Sequence, residues 1–564
     1  MDLKSRHGHI IIFLIIVLLL LFFAYSKTFN GEFQFDDDTS VIENPYVTDI
    51  SEISGLNLID SMVGGVRPVT AITFALNYRF GGFDVSWYHL TNFLIHVFNS
   101  TLIFYLVLLT VNSPKLPATY HDRALSVALI SAAIFLLHPV QTESVSYISQ
   151  RYESLASLFY LCSLIAYIKA RPTHQNTEHR AQNTEHRAQN TEHRTQSTEH
   201  RAQSTEHRAQ STEHRQKIFS PKSVFWYLTS VICYFLALGS KEIAVTLPVI
   251  ILLYDFYFLK DRPFLKRVAG PGIFIVLSLI AGIFILSGFG KGADAGFSVK
   301  AFTPWQYLLT EFRVLTTYIR LLFLPVNQNL DYDFRISRSF FEIDTALSFV
   351  FLLILIIAAI MSYKRWRVGS FFILWFFIIL APTSSIIPVI DVIYEHRVYL
   401  ASAGIFIAAV DAFFRFDVYG FIEKKFSNGR AMVTALVAIA LITLSAATFQ
   451  RNKVWGTKLS LWEDAARKSP MKSRVHNNLG NCYMLLGRHF NAIEEYRKAI
   501  ALDENNIEAY YNLAVNLDNA GLLNQAIFYY DIFYKKASIR YNVQKEVARK
   551  RIDSFYNEVR RTGH

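Results

Sequence analysis

Apolar stretches of membrane-spanning length recur along the chain as far as residue 449. Crossing the hydrocarbon core as a helix takes about 20 mostly apolar residues, and helices satisfy their own backbone hydrogen bonds in lipid. Of the 564 residues, 52% are hydrophobic and only 18% are charged, which is typical of a multi-spanning membrane protein. The pattern predicts eleven helical spans, at 9–25, 92–111, 124–138, 153–169, 223–239, 242–259, 270–288, 345–362, 368–381, 399–414 and 431–449.

The formal net charge of +11 does not by itself indicate a nucleic-acid partner. Lys and Arg concentrate in short segments between the apolar stretches, such as 260–267 and 364–367, as the positive-inside rule predicts. The cysteines Cys162, Cys233 and Cys482 are far apart and match neither a disulfide framework nor a zinc-ligand spacing. We therefore expect no nucleic-acid partner and no metal site.

One apolar segment, 304–324, differs from the others because it carries Glu311, Arg313 and Arg320. These side chains are costly in lipid and suit an amphipathic or re-entrant helix. If the basic start of the chain stays in the cytoplasm, the basic loops face the cytoplasm only when this segment does not cross the membrane. We expect eleven spans plus one amphipathic helix, with the C-terminal domain outside the cytoplasm.

Between residues 175 and 216 one heptad is repeated six times, beginning QNTEHRA and ending QSTEHRQ. The repeat has no apolar seam that a coiled coil could bury. We interpret the insert, 170–222, as a solvated, disordered or weakly helical cytoplasmic segment. Its regular histidines leave metal binding open as a less favoured alternative.

The C-terminal region repeats with a period of 34 residues, since 473–506 aligns with 507–540. The period and the placement of small, large and glycine residues are those of the tetratricopeptide (TPR) repeat. Residues 452–470 resemble a degenerate preceding unit. The expected domains are therefore a membrane domain at 1–450, a short TPR α-solenoid at 451–540 that binds a protein or peptide partner, and a C-terminal tail at 541–564.

The polar motifs of the membrane domain fall on one side of the membrane once the spans are oriented. Each has a local explanation, such as an ion pair or a helix stop. Basic residues in outer loops run against the positive-inside tendency, however, so together the motifs favour a composite site that binds an anion. The candidate residues are Asp36, Asp37 and Arg67 in the first outer loop (26–90), His138, Glu143, Arg151 and Glu153 between the third and fourth spans, Lys241 and Glu242 between the fifth and sixth, and Glu395, His396 and Arg397 before the tenth.

A carboxylate opposite cations at the membrane boundary suits transfer of a sugar from a lipid phosphate. An acceptor hydroxyl needs a base, and the departing phosphate needs positive charge. Asp36 or Asp37 is the expected base, because a neighbouring carboxylate and partial burial raise a carboxyl pKa. His396, Arg397 and Lys241 are expected to bind the donor phosphate, and the other residues to shape the site.

The motifs "FQFDDDTSVIENP", "RPVTAITFALNY", "HPVQTESVSYISQRYES", "SKEIAVTLP" and "EHRVYL", followed by TPR repeats, resemble the transmembrane and TPR-containing protein O-mannosyltransferases and their bacterial relatives. These are polytopic glycosyltransferases of the GT-C type. The resemblance implies an inverting transferase that takes a sugar, often mannose, from a polyprenyl or dolichyl phosphate on the outer face. It maps the acidic motif onto Asp36 and Asp37, leaves the role of Asp38 open, and requires no cofactor besides the lipid-linked donor.

Two other functions remain open at this stage. A non-catalytic membrane scaffold would use the TPR repeats to recruit a partner. A lipid-sugar flippase is less favoured, because its charged residues would pair deep inside the spans rather than at their ends. The expected location is a multi-pass protein of the bacterial inner membrane, with the TPR domain extracytoplasmic.

Overall fold

The computed structural model describes residues 3–49, 67–171, 221–259, 267–268, 270–288 and 295–562. The heptad repeats between 175 and 216, and therefore the interpretation given to them, lie outside the described residues. The described chain forms helices and no strand, with one isolated bridge between Ala295 and Val389. The predicted all-α class is confirmed.

The helices of the membrane domain are α1 (Leu3–Tyr25), α2 (Pro45–Thr48), α3 (Pro68–Gly81), α4 (Val85–Val111), α5 (Ala124–Leu137), α6 (Thr142–Ser146), α7 (Arg151–Ala170), α8 (Pro221–Leu238), α9 (Leu247–Phe258), α10 (Gly272–Gly288), α11 (Pro304–Phe323), α12 (Ile343–Met361), α13 (Arg367–Leu380), α14 (Tyr399–Arg415), α15 (Val418–Lys425) and α16 (Gly429–Val454). The C-terminal helices are α17 (Lys458–Lys468), α18 (Ser473–Leu485), α19 (His489–Leu502), α20 (Ile507–Asn519), α21 (Leu523–Lys536) and α22 (Asn542–Thr562).

Each of the eleven predicted spans coincides with a helix. Within the described residues, eight helical regions are long and apolar enough to cross a membrane, judged by length and composition. The remaining three predicted spans fall on the shorter helices α9, α10 and α13. The apolar windows around α7 and α14 are 78% buried, whereas those of α1, α12 and α16 are 22% buried. Helices α7 and α14 therefore form the centre of the bundle, and the other three face outward.

Several buried polar groups between the central helices hydrogen-bond to one another, as an apolar environment favours. The His96 ring lies 2.8 Å from the Tyr399 hydroxyl and 3.1 Å from the Leu136 carbonyl. Asn99 donates to the same hydroxyl at 3.1 Å. Close packing of α13 on α14 depends on Gly404, because a Cβ there would lie 2.4 Å from the Phe372 carbonyl oxygen.

Helix α11 covers the predicted amphipathic segment and buries one face, including Glu311. Near its start, the Tyr307 hydroxyl donates to the Thr383 carbonyl at 2.5 Å. Near its end, the Tyr318 hydroxyl donates to the Tyr394 carbonyl at 2.8 Å. Both acceptors lie in the single loop between α13 and α14. The two halves of α11 therefore both contact this one loop. That α11 does not cross the membrane stays a prediction.

The C-terminal helices form antiparallel pairs, α18 with α19 and α20 with α21, which confirms a TPR region. Gly487 and Gly521 end the first helix of each pair with φ of +69° and +77°, a conformation that favours glycine. Gly480 lets the paired helices approach, because a Cβ there would lie 2.6 Å from the Tyr496 ring. Helix α17 precedes these pairs, and α22 packs on α21 at the other end of the stack.

The contacts of α11 predict that its two flanks lie on the same side of the membrane. Cysteines introduced at the exposed positions Lys300 and Val326 should react with a membrane-impermeant maleimide from the same face. A cysteine at Lys364, between α12 and α13, should react only from the opposite face. Labelling of intact and permeabilised cells or vesicles tests this. If the cysteines at Lys300 and Val326 react from different faces of the membrane, α11 is a true span.

Candidate functional site

The three consecutive aspartates after α1 occupy three different environments. The Asp36 side chain is exposed, and its backbone N–H donates to the Tyr147 hydroxyl at 2.9 Å. Asp37 is fully buried. Asp38 pairs with Lys458, the first residue of α17, at 2.6 Å. The three aspartates are adjacent in sequence, but their different surroundings suit them to different roles.

Asp37 holds two segments of backbone together. One carboxylate oxygen accepts the Gln34 N–H at 2.8 Å, and the other accepts the Ser149 N–H at 2.6 Å. Burial raises the pKa of Asp37 to about 7, although these two hydrogen bonds act in the opposite direction. Both oxygens are engaged by backbone, so Asp37 fixes the loop that carries Asp36, Asp37 and Asp38, which we call the acidic loop, against the turn before α7.

The turn that presents Asp36 is held in a costly backbone conformation. Phe35 has a φ of +39°, which is uncommon for a bulky residue and costs on the order of 1–3 kcal/mol. Its ring packs edge-on against Trp462 of α17, with ring centroids 5.4 Å apart. Packing against the C-terminal region thus helps to fix the direction of the neighbouring Asp36.

Glu143, on the short helix α6, orients the His396 ring. One carboxyl oxygen lies 2.7 Å from His396 Nδ1, and the other accepts the Glu395 N–H at 3.0 Å. Burial, followed by the negative charge of Glu395, raises the pKa of Glu143 well above its usual range. A face of the His396 ring stacks on Tyr394, with centroids 5.0 Å apart. The imidazole is therefore fixed on two sides.

Glu395 is buried and has three donors of its own. Its oxygens accept the Asn329 N–H at 2.7 Å, the Tyr332 hydroxyl at 2.6 Å and the Gln328 amide at 2.5 Å. All three donors come from the segment after α11. Glu395 thus fastens that segment to the start of α14, and its carboxylate is fully occupied.

The candidate cations differ in their accessibility. Lys241 forms a buried pair with Glu153 at 2.6 Å, in which the lysine is 5% exposed. Arg397 is also buried and donates to two backbone carbonyls, those of Asp391 at 2.7 Å and Val392 at 3.1 Å. Arg67 pairs with Glu242 at 3.2 Å, and both side chains are about one third exposed, at 32% and 35%.

These cations nevertheless share one electrostatic environment. Glu242 interacts electrostatically with Arg67, Lys241 and Arg397. The same three cations act on His396. We call Arg67, Lys241 and Arg397 the cationic corner. Its positive charge is concentrated at the end of the bundle that also carries His396.

Two predicted site residues lie apart from this corner and are fully engaged elsewhere. Arg151 has no carboxylate within salt-bridge distance among the described residues, and its guanidinium donates to neutral acceptors at 2.6–3.3 Å. Those acceptors are the side chains of Asn92, Asn77 and Thr73 and the carbonyl of Tyr88. The His138 ring lies 3.2 Å from both the Leu322 carbonyl oxygen and the Val140 nitrogen. Both residues hold helices together.

The connecting residue, which the sequence did not single out, is Tyr394. Its ring lies beneath the Arg397 guanidinium, whose carbon is 5.6 Å from the ring centroid, and it stacks on His396. Its hydroxyl donates to Asp391 at 2.9 Å and is close enough to interact electrostatically with Asp36. Tyr394 immediately precedes the "EHRVYL" motif, and that adjacency was the only available signal.

Two surface cavities differ in their relation to these residues. The larger, about 440 Å³, lies on the TPR helix α19 around Phe490 and is remote from the acidic loop. The smaller, about 110 Å³, lies beside Asp391, between residues 332–336 and 390–393. Only the smaller cavity has in its wall a residue that contacts Tyr394, because Asp391 accepts the Tyr394 hydroxyl. Among the described residues, no group of three His, Cys, Asp or Glu side chains is arranged to hold a metal ion.

The known proteins with similar sequences are all named for the same activity. The chain is 24% identical over 498 residues to protein O-mannosyl-transferase F38B6.6 of Caenorhabditis elegans, and 23% identical over 544 residues to protein O-mannosyl-transferase TMTC1 of Homo sapiens. The homologues of this chain are TMTC-type protein O-mannosyl-transferases. A third member of the type, human TMTC4, is 30% identical over 161 residues, which cover 26% of this chain and 22% of the relative.

The extent of the match differs between the chain and its relatives. The two longer alignments cover 85% and 87% of this chain but only 61% and 55% of the worm and human proteins. The family model for the TPR repeat matches residues 480–517. No solved structure matches the chain. The named relatives are animal proteins, so the expected bacterial origin has no support among them.

The contacts of Arg151 predict a structural role. Arg151→Lys keeps the charge but cannot span the separate acceptors, so buried groups lose their partners at about 1–3 kcal/mol each. We expect a clear fall in apparent melting temperature in lipid nanodiscs. The exposed Arg79→Lys is the matched control. Unchanged melting of Arg151→Lys would show that these hydrogen bonds do not stabilise the fold.

The raised pKa of Glu143 means that burial favours its neutral form in the folded protein. Glu143→Gln can keep both contacts, since its amide oxygen accepts the Glu395 N–H and its amide N–H donates to His396. It should therefore retain stability, whereas Glu143→Ala should lose it. Wild-type stability contributed by neutral Glu143 is lost as pH rises through the folded-state pKa, and Glu143→Gln should remove that loss. Melting measured across pH tests this, and a severely destabilised Gln variant would contradict it.

Proposed function

We propose that this chain is a membrane glycosyltransferase of the GT-C type, which moves a sugar from a polyprenyl-phosphate donor to a hydroxyl of a protein acceptor. Mannose is the proposed sugar, because the similar proteins are named as O-mannosyl-transferases. The observation that carries the proposal is the arrangement around Tyr394. An exposed carboxylate, Asp36, is close enough to this tyrosine to interact with it electrostatically, and Arg397 of the cationic corner lies over its ring.

The proposed reaction is a single displacement. Asp36 takes the proton of the acceptor hydroxyl, and the resulting oxygen attacks the anomeric carbon of the sugar. The bond from that carbon to the phosphate oxygen breaks, and the polyprenyl phosphate leaves with the electron pair. Attack from the face opposite the phosphate inverts the anomeric configuration. Positive charge from Arg67 and Arg397 stabilises the leaving phosphate.

Accessibility supports Asp36 rather than Asp37 as the base. The Asp36 side chain is exposed, whereas both Asp37 oxygens accept backbone N–H groups. Asp37 would then position the loop. Among the cations, Arg67 is the most exposed, so it is the proposed first contact of the donor phosphate, with Lys241 and Arg397 contributing charge from behind.

We place the site on the extracytoplasmic or lumenal face. The candidate site and the contact of α11 with Tyr394 lie where α14 begins. The loop between α12 and α13, with its basic residues 364–367, lies where α14 ends, because Arg415 donates to the Arg365 carbonyl at 3.2 Å. The positive-inside rule assigns that basic loop to the cytoplasm. A polyprenyl-phosphate sugar would then meet Asp36 at the headgroup level of the outer leaflet.

Substitution of the two aspartates separates their roles. Asp36→Asn should lower transfer by at least about 100-fold without changing the melting temperature. Asp37→Asn should lower the melting temperature, because the Asn amide nitrogen cannot accept the second backbone N–H. In the assay, membranes containing the protein are incubated with radiolabelled polyprenyl-phosphate mannose. The measured product is the protein-bound label that alkaline β-elimination releases.

Exposed Glu43→Gln in the same loop is the control and should leave transfer unchanged. Full transfer by Asp36→Asn would remove it as the base. If the wild-type chain transferred no sugar from any polyprenyl-phosphate donor, the scaffold function would be the better description.

A further inference from the structure

The first turn of the TPR helix α18 is attached to the membrane domain through one arginine. Arg474 donates to both oxygens of Asp331, at 2.8 and 2.7 Å, and to both oxygens of Asp391, at 3.1 and 2.6 Å. A guanidinium suits this bridging because its donors are fixed in one plane. The Asp331 side chain is only 4% exposed. Arg474 therefore neutralises two carboxylates that are held close together.

Further contacts surround this bridge. Lys472 also pairs with Asp331, and its ammonium lies 3.8 Å from Asp391. Ser469 accepts a hydrogen bond from the Asn329 side chain at 2.8 Å. The interface is thus polar at the bridge and continues along the segment between α17 and α18.

Asp391 connects the bridge to the candidate site in two ways. Its side chain accepts the Tyr394 hydroxyl at 2.9 Å, and its backbone carbonyl accepts the Arg397 guanidinium at 2.7 Å. Tyr394 in turn stacks on His396. The position of Asp391 thus determines where Tyr394 and Arg397 lie.

We propose that Arg474 is a positioning residue through which the TPR domain sets the geometry of the site. This inference rests on the proposed function. Without Arg474, Asp331 and Asp391 repel each other with only Lys472 between them. Residues 388–394 then move away, and Tyr394 and Arg397 move with them. A protein partner that displaces α18 would slow transfer by the same route, without touching the acidic loop.

Arg474→Ala in the full-length protein tests the proposal. Transfer at saturating polyprenyl-phosphate mannose should fall by about ten-fold or more, because small displacements in a site have large effects on rate. Amide hydrogen exchange should become faster across residues 388–398. Millimolar guanidinium should restore part of the transfer by occupying the space between the two carboxylates, and Arg474→Lys should retain an intermediate rate.

The matched control is Arg551→Ala. Arg551 forms an equivalent bidentate pair with Asp518 at 2.5 and 2.6 Å, at the far end of the TPR stack. It should leave both transfer and exchange at 388–398 unchanged. Asp36→Asn should lose transfer and gain nothing from guanidinium.

Three results would overturn the proposal. The first is that Arg474→Ala matches Arg551→Ala in transfer and exchange. The second is that its faster exchange stops at residues 458–476, which indicates a simple tether. The third is that guanidinium restores nothing. Hydrogen exchange also separates this inference from the proposed function. If the wild-type chain transfers no sugar, unchanged exchange at 388–398 still rejects the positioning role, and faster exchange supports it.

Discussion

Charges that are removed from water must find partners, and this requirement organises the end of the membrane bundle that carries the candidate site. Glu395 has three donors, Lys241 has Glu153, and Arg151 has amide, hydroxyl and carbonyl oxygens. Each of these contacts joins segments that are distant in sequence. The acidic loop, the turn before α7, the segment after α11 and the start of α14 are therefore fixed relative to one another. Rigidity of this kind is what a site needs to aim a carboxylate and a guanidinium at one substrate.

The same requirement separates residues that look equivalent in the sequence. Asp36 and Asp37 are neighbours, yet only Asp37 has both oxygens bound by backbone N–H groups. Arg67 and Arg151 are both basic residues near helix starts, yet Arg151 is buried among neutral acceptors while Arg67 remains one third exposed. Partnership and exposure, rather than residue type, distinguish the groups that can meet a substrate from those that build its surroundings.

Much of the fold could be predicted because its signals are local. Apolar length identified the helices, and the charges Glu311, Arg313 and Arg320 marked α11 as different from a span. The period of 34 residues identified the TPR region. The site could be predicted only to the level of which motifs share one end of the bundle, and its residue roles stay predictions. Topology does not reveal that His138 and Arg151 turn inward. It also gives no indication of Arg474, whose partners are 83 and 143 residues away.

The TPR region is better understood as part of the membrane domain than as an attached module. Two repeats bury little surface alone. The apolar cluster beneath the first repeat includes Trp462, Val475 and Leu479 together with Tyr147 and Leu330 of the membrane domain. Tyr147 accepts the Asp36 N–H, so the same side chain completes the repeat and holds the acidic loop. Because linkage is reciprocal, any preference of the docked repeat for one arrangement of the site is matched by an equal preference of that arrangement for docking. Where such a preference exists, binding at either place changes the binding affinity at the other.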